Sequence, residues 1–462
     1  MLALTLLTVF VSLCHAFVPA KTWQNANIER AIDLQRAYIA ERWSIEVKNI
    51  DSIPNSEYYL AIPHQLWDRL SVFSVYSENS QSVLPTELLE EATTSDNGNT
   101  LVNYIKVTLP PVAPKSTYKI TVTLSITDII EPLPRELKMT DEQTLLLQTT
   151  KTAVSAYDTK SYSLKLINVV EATEIDQIHG QAIEDEGSVK NNALTYEFQD
   201  VAPFTLKPLH LIYKHNLPLP RINNLQRGIW VSHWGATVQF VEDYQLTNQA
   251  AKLDSGFARA EFMKNKNTRQ SHALLALQLQ LEPEAEDIFF TDLVGNVSTS
   301  KPLGQSLYIK PRFPVFGGWH YNFTVGWTTP LSNYLKDLGD GEYTISVPFL
   351  NGPPDVAYDH VDLSIYLPEG SEVLDVACPI GYETISEDYE LSYFDLGNGH
   401  TKVTISFDNM VDQVGKFEIL IKYKYGFKEW MTKPLNIAKY VFVALISYLA
   451  LSKIDIALKA KK

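Results

Sequence analysis

The sequence predicts a mainly β protein: two tandem β-sandwich-like domains, related by an internal duplication, followed by one C-terminal transmembrane helix. Three observations predict this fold class. Apolar and polar residues alternate along most of the chain from Ile39 onward, with proline and Asn/Asp/Gly clusters between the runs, the pattern of short strands joined by turns. The same punctuation occurs twice in the same order. One apolar run near the C-terminus is long enough to cross a bilayer.

Composition is that of a globular protein with a sizeable core. Of the 462 residues, 45% are hydrophobic and 20% are charged, which excludes a globally disordered chain. The 54 acidic residues outnumber the 39 basic ones, so the formal net charge is -15. Such a balance argues against an extended nucleic-acid interface, because phosphate contacts require clustered basic side chains.

The N-terminus has the pattern of a secretory signal peptide, residues 1–16. An apolar run from Leu2 to Leu13 ends in Cys14-His15-Ala16, where small residues suit cleavage after Ala16, with Ala20 as the second choice. No Lys or Arg precedes the run, so only the α-amino group supplies the positive end. A core strand is the alternative interpretation.

The internal repeat sets the domain organisation. Four segment pairs recur in order at offsets of 199 to 210 residues. They are Pro111-Val112 with Tyr118–Val122 and Pro314-Val315 with Tyr321–Val325; Ala156-Tyr157-Asp158 and Ala357-Tyr358-Asp359; Ile45–Asn49 and Tyr244–Asn248; and Leu211–Lys214 and Ile421–Lys424. The repeat predicts a first domain over 17–216, a proline-rich linker over 217–229 and a second domain over 230–430. Short helical periodicity near Pro85–Glu91 and Asp141–Gln148 interrupts the strand pattern.

The stretch from Arg312 to Trp327 carries a predicted strand and a glycosylation acceptor together. Aromatic and branched residues fall on every second position from Trp319 to Trp327, which indicates one buried face. On the opposite face stands Asn322, the first residue of Asn322-Phe-Thr. A second acceptor sequence begins at Asn296. Both asparagines are candidate N-glycosylation sites in a secretory compartment.

The run from Leu435 to Ser452 predicts a single membrane span. Its 18 residues give a helix of about 27 Å against about 30 Å of hydrocarbon. Lys439 interrupts the run, and either snorkels to the interface or pairs with a polar group of a neighbouring helix. A short cytosolic tail, 453–462, completes a type I topology. The alternative is a buried amphipathic C-terminal helix.

No catalytic, cofactor-binding or metal motif is present in the sequence: it has no His-Glu-x-x-His, Gly-x-Ser-x-Gly, Gly-x-Gly-x-x-Gly, Walker loop or Cys-x-x-Cys. Ser232 and His233 are the best nucleophile–base pair, but neighbouring strand residues point to opposite faces, which favours structural roles. Asp340-Gly-Glu342 is a calcium candidate by composition and a hairpin tip by the ordinary interpretation. Cys378 is the one cysteine left after signal cleavage, either free or bonded to a partner chain.

Several segments resemble the ribophorin I family, whose members are non-catalytic subunits of oligosaccharyltransferase, and the fungal form is the most similar. The resemblance runs from about Thr22 to the membrane span and is most specific between Trp230 and Trp327. The segments that carry it are Trp230–Gly235, Tyr244–Lys252, Phe290–Ser300, Pro311–Trp319 and Asn351–Pro354, with looser matches at Ile126–Pro134 and Ser155–Asp158.

The resemblance implies a role in a complex of the endoplasmic reticulum membrane that transfers an oligosaccharide from dolichyl diphosphate to Asn in Asn-x-Ser/Thr. The chain would support the catalytic subunit and other subunits, with nascent polypeptide and the translocon as further partners, and with no cofactor of its own. Animal members carry a long cytosolic tail that this sequence lacks after Lys462. Lys459-Ala-Lys-Lys462 also misses the two-lysine retrieval spacing, which points to retention through complex assembly.

Two other classes of function remain open from the residues. A lumenal hydrolase would assemble its site from scattered Asp, Glu and His, and would show a deep pocket with converging acids. A tandem-β ectodomain that binds cargo or mediates adhesion would show no such pocket and would reach the cell surface.

Overall fold

The computed structural model describes residues 17–94, 101–169, 171–175, 185–190, 193–264, 272–392, 397 and 399–453. The predicted signal peptide, 1–16, and residues 454–462 of the predicted tail lie outside the described residues.

Strands dominate the chain. Up to Lys214 the elements are β1 Trp23–Asp33, β2 Ile39–Asn49, β3 Asn55–Pro63, α1 His64–Trp67, β4 Leu70–Ser77, β5 Thr86–Thr94, β6 Leu101–Val112, β7 Thr117–Ile126, β8 Ile130–Pro132, β9 Glu136–Leu137, β10 Thr144–Thr150, β11 Thr159–Ile167, β12 Thr173–Glu174, β13 Ser188–Lys190, β14 Ala193–Val201 and β15 Pro208–Lys214.

The remaining elements end in a long helix. They are β16 Pro220–Ser232, β17 Thr237–Asn248, β18 Lys252–Leu253, α2 Arg259–Lys264, β19 Leu277–Gln280, β20 Glu286–Asp292, β21 Gly295–Asn296, β22 Lys301–Leu303, β23 Ser306–Ile309, β24 His320–Pro330, β25 Leu335–Gly339, β26 Glu342–Pro348, β27 Ala357–Glu369, β28 Glu372–Ala377, β29 Thr384–Glu390, β30 His400–Val411, β31 Glu418–Lys424 and α3 Phe427–Ser452.

The chain forms two compact units. Unit 1 comprises the chain up to Ile130 together with Leu145–Lys214, and unit 2 comprises Glu131–Thr144 together with the chain from His215 onward. The segment Glu131–Thr144 therefore precedes part of unit 1 in sequence but belongs to unit 2. Within unit 2 its strand β9 pairs in parallel with β18.

Unit 1 is built around a seven-stranded sheet. Its strand order is β13-β14-β11-β1-β2-β7-β4, with β1 and β11 parallel and the neighbouring pairs antiparallel. Every second residue along β2 is buried, as expected of a strand with one face on the core. A smaller sheet, β3-β6-β5, and the strand set β12-β15-β10 accompany it.

Unit 2 is built around an eight-stranded sheet. Its order is β21-β20-β24-β17-β16-β27-β30-β29, accompanied by β19-β23-β22 and by β25-β26-β31-β28. The inward positions of β24, from Tyr321 to Trp327, are buried. Several rings stack there, including Phe240 on Trp327 at 5.2 Å and Tyr244 on Phe323 at 4.9 Å between centroids.

The two units share one strand order, which confirms the predicted duplication. Reading β13-β14-β11-β1-β2-β7-β4 against β29-β30-β27-β16-β17-β24-β20 pairs the strands in chain order, and the smaller sheets correspond in the same way. The parallel contact recurs as β16 with β27. A bulge occurs between Asn25 and Asn27 in β1 and at the equivalent place in β16, between Ile222 and Asn224. Counted from these bulges, Ala31 of unit 1 is the residue equivalent to Gly228 of unit 2.

Equivalent polar residues make equivalent contacts in the two units. Asn49 Nδ2 donates to the carbonyl of Val112 at 2.9 Å, and Asn248 Nδ2 donates to the carbonyl of Val315 at 2.9 Å. These are the asparagines and valines of the repeat found in the sequence. Each asparagine is the last residue of its strand, and its amide satisfies a backbone carbonyl of another segment, as a buried polar group requires.

Each unit also buries an Arg–Glu pair on its first two long strands. In unit 1, Arg30 forms a two-bond contact with Glu41, at 2.7 Å from Nε and 2.6 Å from Nη2, with both side chains almost fully buried. In unit 2, Arg227 pairs with Glu242, and both side chains are fully buried. Neither pair was predicted, because charged residues on strands are ordinarily assigned to the solvent face.

Two local expectations were wrong. The expected linker over 217–229 is largely strand, since β16 begins at Pro220 and pairs on both sides with β17 and β27. The helical periodicity near Pro85–Glu91 and Asp141–Gln148 gives strands β5 and β10 instead. Pairing with neighbouring strands overrides a weak local pattern of this length.

Candidate functional site: glycan acceptors and membrane anchor

Asn322 lies on the exposed face of β24, between the buried side chains of Tyr321 and Phe323. Thr324, which completes the acceptor sequence, donates from Oγ1 to Asp243 Oδ1 at 2.5 Å on the neighbouring strand β17. The predicted strand with one aromatic face is confirmed. The acceptor nitrogen of Asn322 stands on the solvent side, as the predicted modification requires.

Asn296 lies in the short strand β21, and its residue is exposed. Arg312 holds this hairpin: its Nη2 donates to the backbone carbonyl of Asn296 at 3.0 Å, and its Nε donates to Asp292 Oδ2 at 2.5 Å. Burial alone would raise the pKa of Asp292, but the bond from Arg312 and the N–H of Val294 lower it. The carboxylate is therefore ionised and fixes the turn that carries Asn296.

The two acceptor sites face the same side of the eight-stranded sheet. Asn296 on β21 pairs with Thr291 on β20, and Thr291 pairs on its other side with Thr324 on β24. Directly paired residues point to the same face, and Asn322 is two residues from Thr324. Glycans on the two asparagines would therefore project from one face of unit 2.

Helix α3 carries the predicted span. It runs from Phe427 to Ser452 and contains an apolar stretch of 18 residues, none of which is buried. In the part of the chain that the structure describes, it is the one helix long and apolar enough to cross a membrane. The alternative of a buried C-terminal helix is wrong. Lys439 is exposed on this helix, within the apolar segment.

The first turns of α3 pack against the end of the eight-stranded sheet. Trp234, in the turn after β16, stacks on Trp430 at 4.2 Å with ring planes 2° apart, and its Nε1 donates to the carbonyl of Trp430 at 3.3 Å. A cavity of about 340 Å³ opens beside them, lined among others by Glu429, Lys433 and Ile437. Two tryptophans at the start of the apolar helix match the position of interfacial aromatic anchors.

Ser232 and His233 have separate partners. Ser232 Oγ accepts the backbone N–H of Gly235 at 2.9 Å, while His233 Nε2 lies 2.7 Å from the hydroxyl of Tyr423. Desolvation lowers the pKa of His233, so its ring is neutral at pH 7. The contacts give both residues structural roles at the end of β16.

Asp340 forms the tip of a hairpin. It follows Gly339 and precedes Gly341 between β25 and β26, and all three residues have positive φ. Asp-Gly favours such two-residue turns. Glu342 pairs with Lys422 at 2.7 Å, and the described residues contain no group of three or more His, Cys, Asp or Glu that could hold a metal.

Cys378 is free and half-buried, with its Sγ 3.2 Å from the carbonyl of Ile380. Burial raises the pKa of its thiol. A protonated thiol is a poor nucleophile, so burial lowers the reactivity of Cys378.

The repeated β units and the exposed apolar helix define a class of protein: a duplicated β protein with one candidate membrane anchor. Residues 23–452 match the family described as Ribophorin I. The chain belongs to the ribophorin I family.

Curated relatives carry a subunit name. Dolichyl-diphosphooligosaccharide--protein glycosyltransferase subunit 1 of Caenorhabditis elegans is 24% identical over 457 residues, which cover 97% of this chain and 75% of the relative. Subunit 1B of Arabidopsis thaliana is 25% identical, with 98% of each chain covered. Subunit 1 of Schizosaccharomyces pombe is 27% identical, with 88% of this chain and 90% of the relative covered.

The likeness to one solved structure is slight. A putative nutrient binding protein from Legionella pneumophila is 11% identical and covers 42% of this chain and 68% of its own, with a TM-score of 0.29.

Proposed function

We propose that this chain is subunit 1 of the dolichyl-diphosphooligosaccharide–protein glycosyltransferase of the endoplasmic reticulum membrane, the complex that glycosylates Asn in Asn-x-Ser/Thr of nascent proteins. The observation that carries the proposal is the family match over residues 23–452. Relatives that bear the subunit name align over most of their own lengths as well as over this chain.

The subunit is non-catalytic in this proposal. A glycoside hydrolase needs a carboxylic acid whose pKa is raised so that it can donate a proton. The hydrogen bond from Lys106 lowers the pKa of Glu57, and the hydrogen bond from Lys422 lowers the pKa of Glu342. Because their pKa values are lowered, these two carboxyl groups are poor proton donors. The purified chain alone should transfer no oligosaccharide to an acceptor peptide, and transfer by the chain alone would contradict this role.

The proposed topology is type I, with both units in the lumen, α3 in the membrane and the tail in the cytosol. Alkaline carbonate should leave the chain in the membrane pellet, whereas release would contradict the span. Endoglycosidase treatment should lower the mass of the chain, and the shift should disappear when Asn322→Gln and Asn296→Gln are combined. An unchanged mass in the wild-type chain would contradict lumenal exposure of both sites.

The edge strand β29 is the surface we propose for contact with another subunit or with extended nascent polypeptide. All seven of its residues are exposed, and it closes one end of the eight-stranded sheet. Ile385 and Tyr389 point to the side that faces the core elsewhere in the sheet, yet they are 42% and 58% exposed. Among the residues that the structure describes, no strand pairs with the outer edge of β29, and such an edge with apolar side chains suits addition of a partner strand.

Affinity purification of the tagged full-length chain from mild detergent tests the role. The catalytic subunit and other subunits of the glycosyltransferase should co-purify; a monodisperse single chain would contradict the proposal. Combined Ile385→Asp and Tyr389→Asp should reduce that recovery. The control Ser386→Asp adds a negative charge to an exposed residue on the opposite face of β29 and should leave recovery unchanged, which separates loss of the apolar side chains from the added charge.

Substitution of Lys439 tests whether this side chain pairs with a polar group on another membrane helix. If Lys439 pairs with a polar group on another helix, Lys439→Leu should weaken recovery of the complex, because the partner group is left in hydrocarbon. If Lys439 snorkels to the interface, the same variant should be recovered normally.

A further inference from the structure

We infer that the outer face of the eight-stranded sheet in unit 2 carries a binding trough for a neutral oligosaccharide, centred on Gly228. The trough is defined by three rows of residues that run across the strands β17, β16, β27 and β30. This activity goes beyond the proposed subunit role and does not depend on it. A cavity of about 350 Å³ lies there, within the range of about 300–1,000 Å³ typical of ligand sites.

The floor row has small side chains. Gly228 pairs with Val241 on one side and with Ser364 on the other, and Ser364 pairs with Thr404. A Cβ added to Gly228 would make ordinary van der Waals contacts, the nearest at 3.4 Å to Tyr366 and 3.5 Å to Trp230, so the floor at Gly228 is bare backbone bordered by these two rings. From Val241 to Thr404 the floor spans three strand spacings, about 14 Å.

One wall of the trough is formed by two aromatic side chains and ends at a lysine. Trp230 and Tyr366 are direct partners on β16 and β27, stacked at 3.7 Å with planes 3° apart. Their edges lie nearest to Gly228, including the indole Nε1–H of Trp230. Lys402 extends the row, with its Nζ 5.3 Å from the centroid of Tyr366. This wall offers ring edges and N–H donors.

The opposite wall is made of acceptors. Gln226 pairs with Asp243 on β17 and with Asp362 on β27. Four residues separate the two walls along β16, about 13 Å. Sugar hydroxyls donate well to carboxylate and amide oxygens, while the N–H groups of the other wall suit their oxygens. The two carboxylates of this wall face a single lysine on the other wall, Lys402, which itself pairs with Glu390 at 3.4 Å. This balance of charge disfavours an anionic sugar, so the fitting ligand is neutral.

The first unit provides an internal comparison. The repeat places Ala31 at the position of Gly228, and the paired residues of Ala31 are Arg42 and Lys165, both exposed. Long basic side chains thus replace Val241 and Ser364 on the equivalent face. The trough is a property of unit 2 and does not follow from the shared fold.

The row of residues that contains Asp243 continues across the neighbouring strands to the two candidate glycosylation sites. Asp243 pairs with Thr324, Thr324 with Thr291, and Thr291 with Asn296. Asn322 lies two residues from Thr324 on the same face. The saccharide in the trough therefore has two possible sources: the chain's own glycan, or the glycan of another molecule.

The test uses the full-length chain in detergent and the neutral pentasaccharide of three mannoses and two N-acetylglucosamines. Saturation-transfer NMR and a binding titration are run on the glycosylated chain and on the Asn296→Gln/Asn322→Gln chain. If the trough binds saccharide, the Asn296→Gln/Asn322→Gln chain should bind the pentasaccharide. Weaker binding to the glycosylated form would identify the chain's own glycan as occupant, whereas equal binding would identify an external glycan; both outcomes support the trough.

Gly228→Val should lower the affinity at least tenfold, because its methyl groups fill the floor, and Asp243→Asn should lower it severalfold while keeping an oxygen for Thr324. Gln245→Val, on the same face of β17 but outside the trough, should stay within twofold. Thermal unfolding checks that each variant folds. Absence of pentasaccharide binding by the acceptor-free chain would overturn the inference, and so would unchanged affinity in Gly228→Val. Either failure leaves co-purification of the glycosyltransferase subunits intact, so the proposed function is judged separately.

Discussion

Glu41→Gln is the perturbation whose cost the structure defines best. Arg30 donates twice to Glu41, at 2.7 and 2.6 Å, and once to the carbonyl of Thr150 at 2.9 Å. Burial alone would lower the pKa of Arg30, but the charge of Glu41 raises it, so the guanidinium is charged in the core. Removing the carboxylate charge leaves a buried cation, which costs about 3–5 kcal/mol.

Hydrogen exchange of the full-length chain, read by mass spectrometry, measures that cost locally. A loss of about 3–5 kcal/mol raises the opening constant of unit 1 by roughly 140- to 4,000-fold, since about 1.4 kcal/mol is a factor of ten. Peptides from β1 and β2 should exchange faster by that order, while peptides from β16 and β17 serve as the internal reference. Glu46→Gln, on the same strand, should change exchange little.

The double variant Arg30→Met/Glu41→Leu separates charge from packing. It removes both ions but leaves the indole N–H of Trp43, which donates to Glu41 at 2.7 Å, without its acceptor. We expect a cost of about 1–3 kcal/mol for that orphaned donor, less than for Glu41→Gln. The reasoning is refuted if Glu41→Gln leaves β1 and β2 exchange within threefold of wild type, or if the double variant is as damaging as the single one.

Three further predictions concern unit 2. Gly317→Ala should cost about 3 kcal/mol or more, because a Cβ would overlap the carbonyl oxygens of Ala250 and Ala251; Gly256→Ala, in open space, is the control, and equal melting temperatures would contradict the clash. Burial lowers the pKa of His215 from 6.5 to about 4, so the unfolded chain binds the proton first and stability should fall by roughly 3 kcal/mol as pH drops from 6.5 to 4. Urea unfolding at each pH measures this loss of stability, which should be smaller in His215→Gln. The same pH dependence in the variant and the wild-type chain would contradict the role of His215. Trp234→Ala should speed protease cleavage near Gly426, because about 0.5–1.5 kcal/mol of stacking on Trp430 is lost; Trp234→Phe should cleave more slowly than the alanine variant.

Alternation along single strands was the part of the fold that could be predicted from the sequence. It located the strand after Gly318 with Asn322 on its outer face, because burial of every second residue leaves a pattern within one segment. The repeat was predictable for a related reason: Asn49 and Asn248 sit at equivalent places since each satisfies an equivalent carbonyl. Both signals depend only on residues near one another in the chain, or on a comparison of the chain with itself.

Features that depend on register between distant strands left no such signal. Gly228, Trp230 and Gln226 occupy one short segment, but the trough also needs Ser364 and Tyr366 at the matching level of β27, more than 130 residues away in the sequence. The pairing of Arg227 with Glu242 was hidden in the same way. Stacking of Trp234 on Trp430 likewise requires knowing where α3 begins relative to the sheet.

The inclusion of Glu131–Thr144 in unit 2 has a consequence for the synthesis of the chain. During translation these residues emerge before β11, β14 and β15 of unit 1, yet Gln143 donates to the carbonyls of His215 and Leu217 and accepts the N–H of Ala251. The last of these contacts, with Ala251, cannot form until more than 100 further residues have been made. A fragment that starts at His215 would lack the segment, so the second unit is expected to need residues 131–144, supplied in the same chain or as a peptide, to reach its native state.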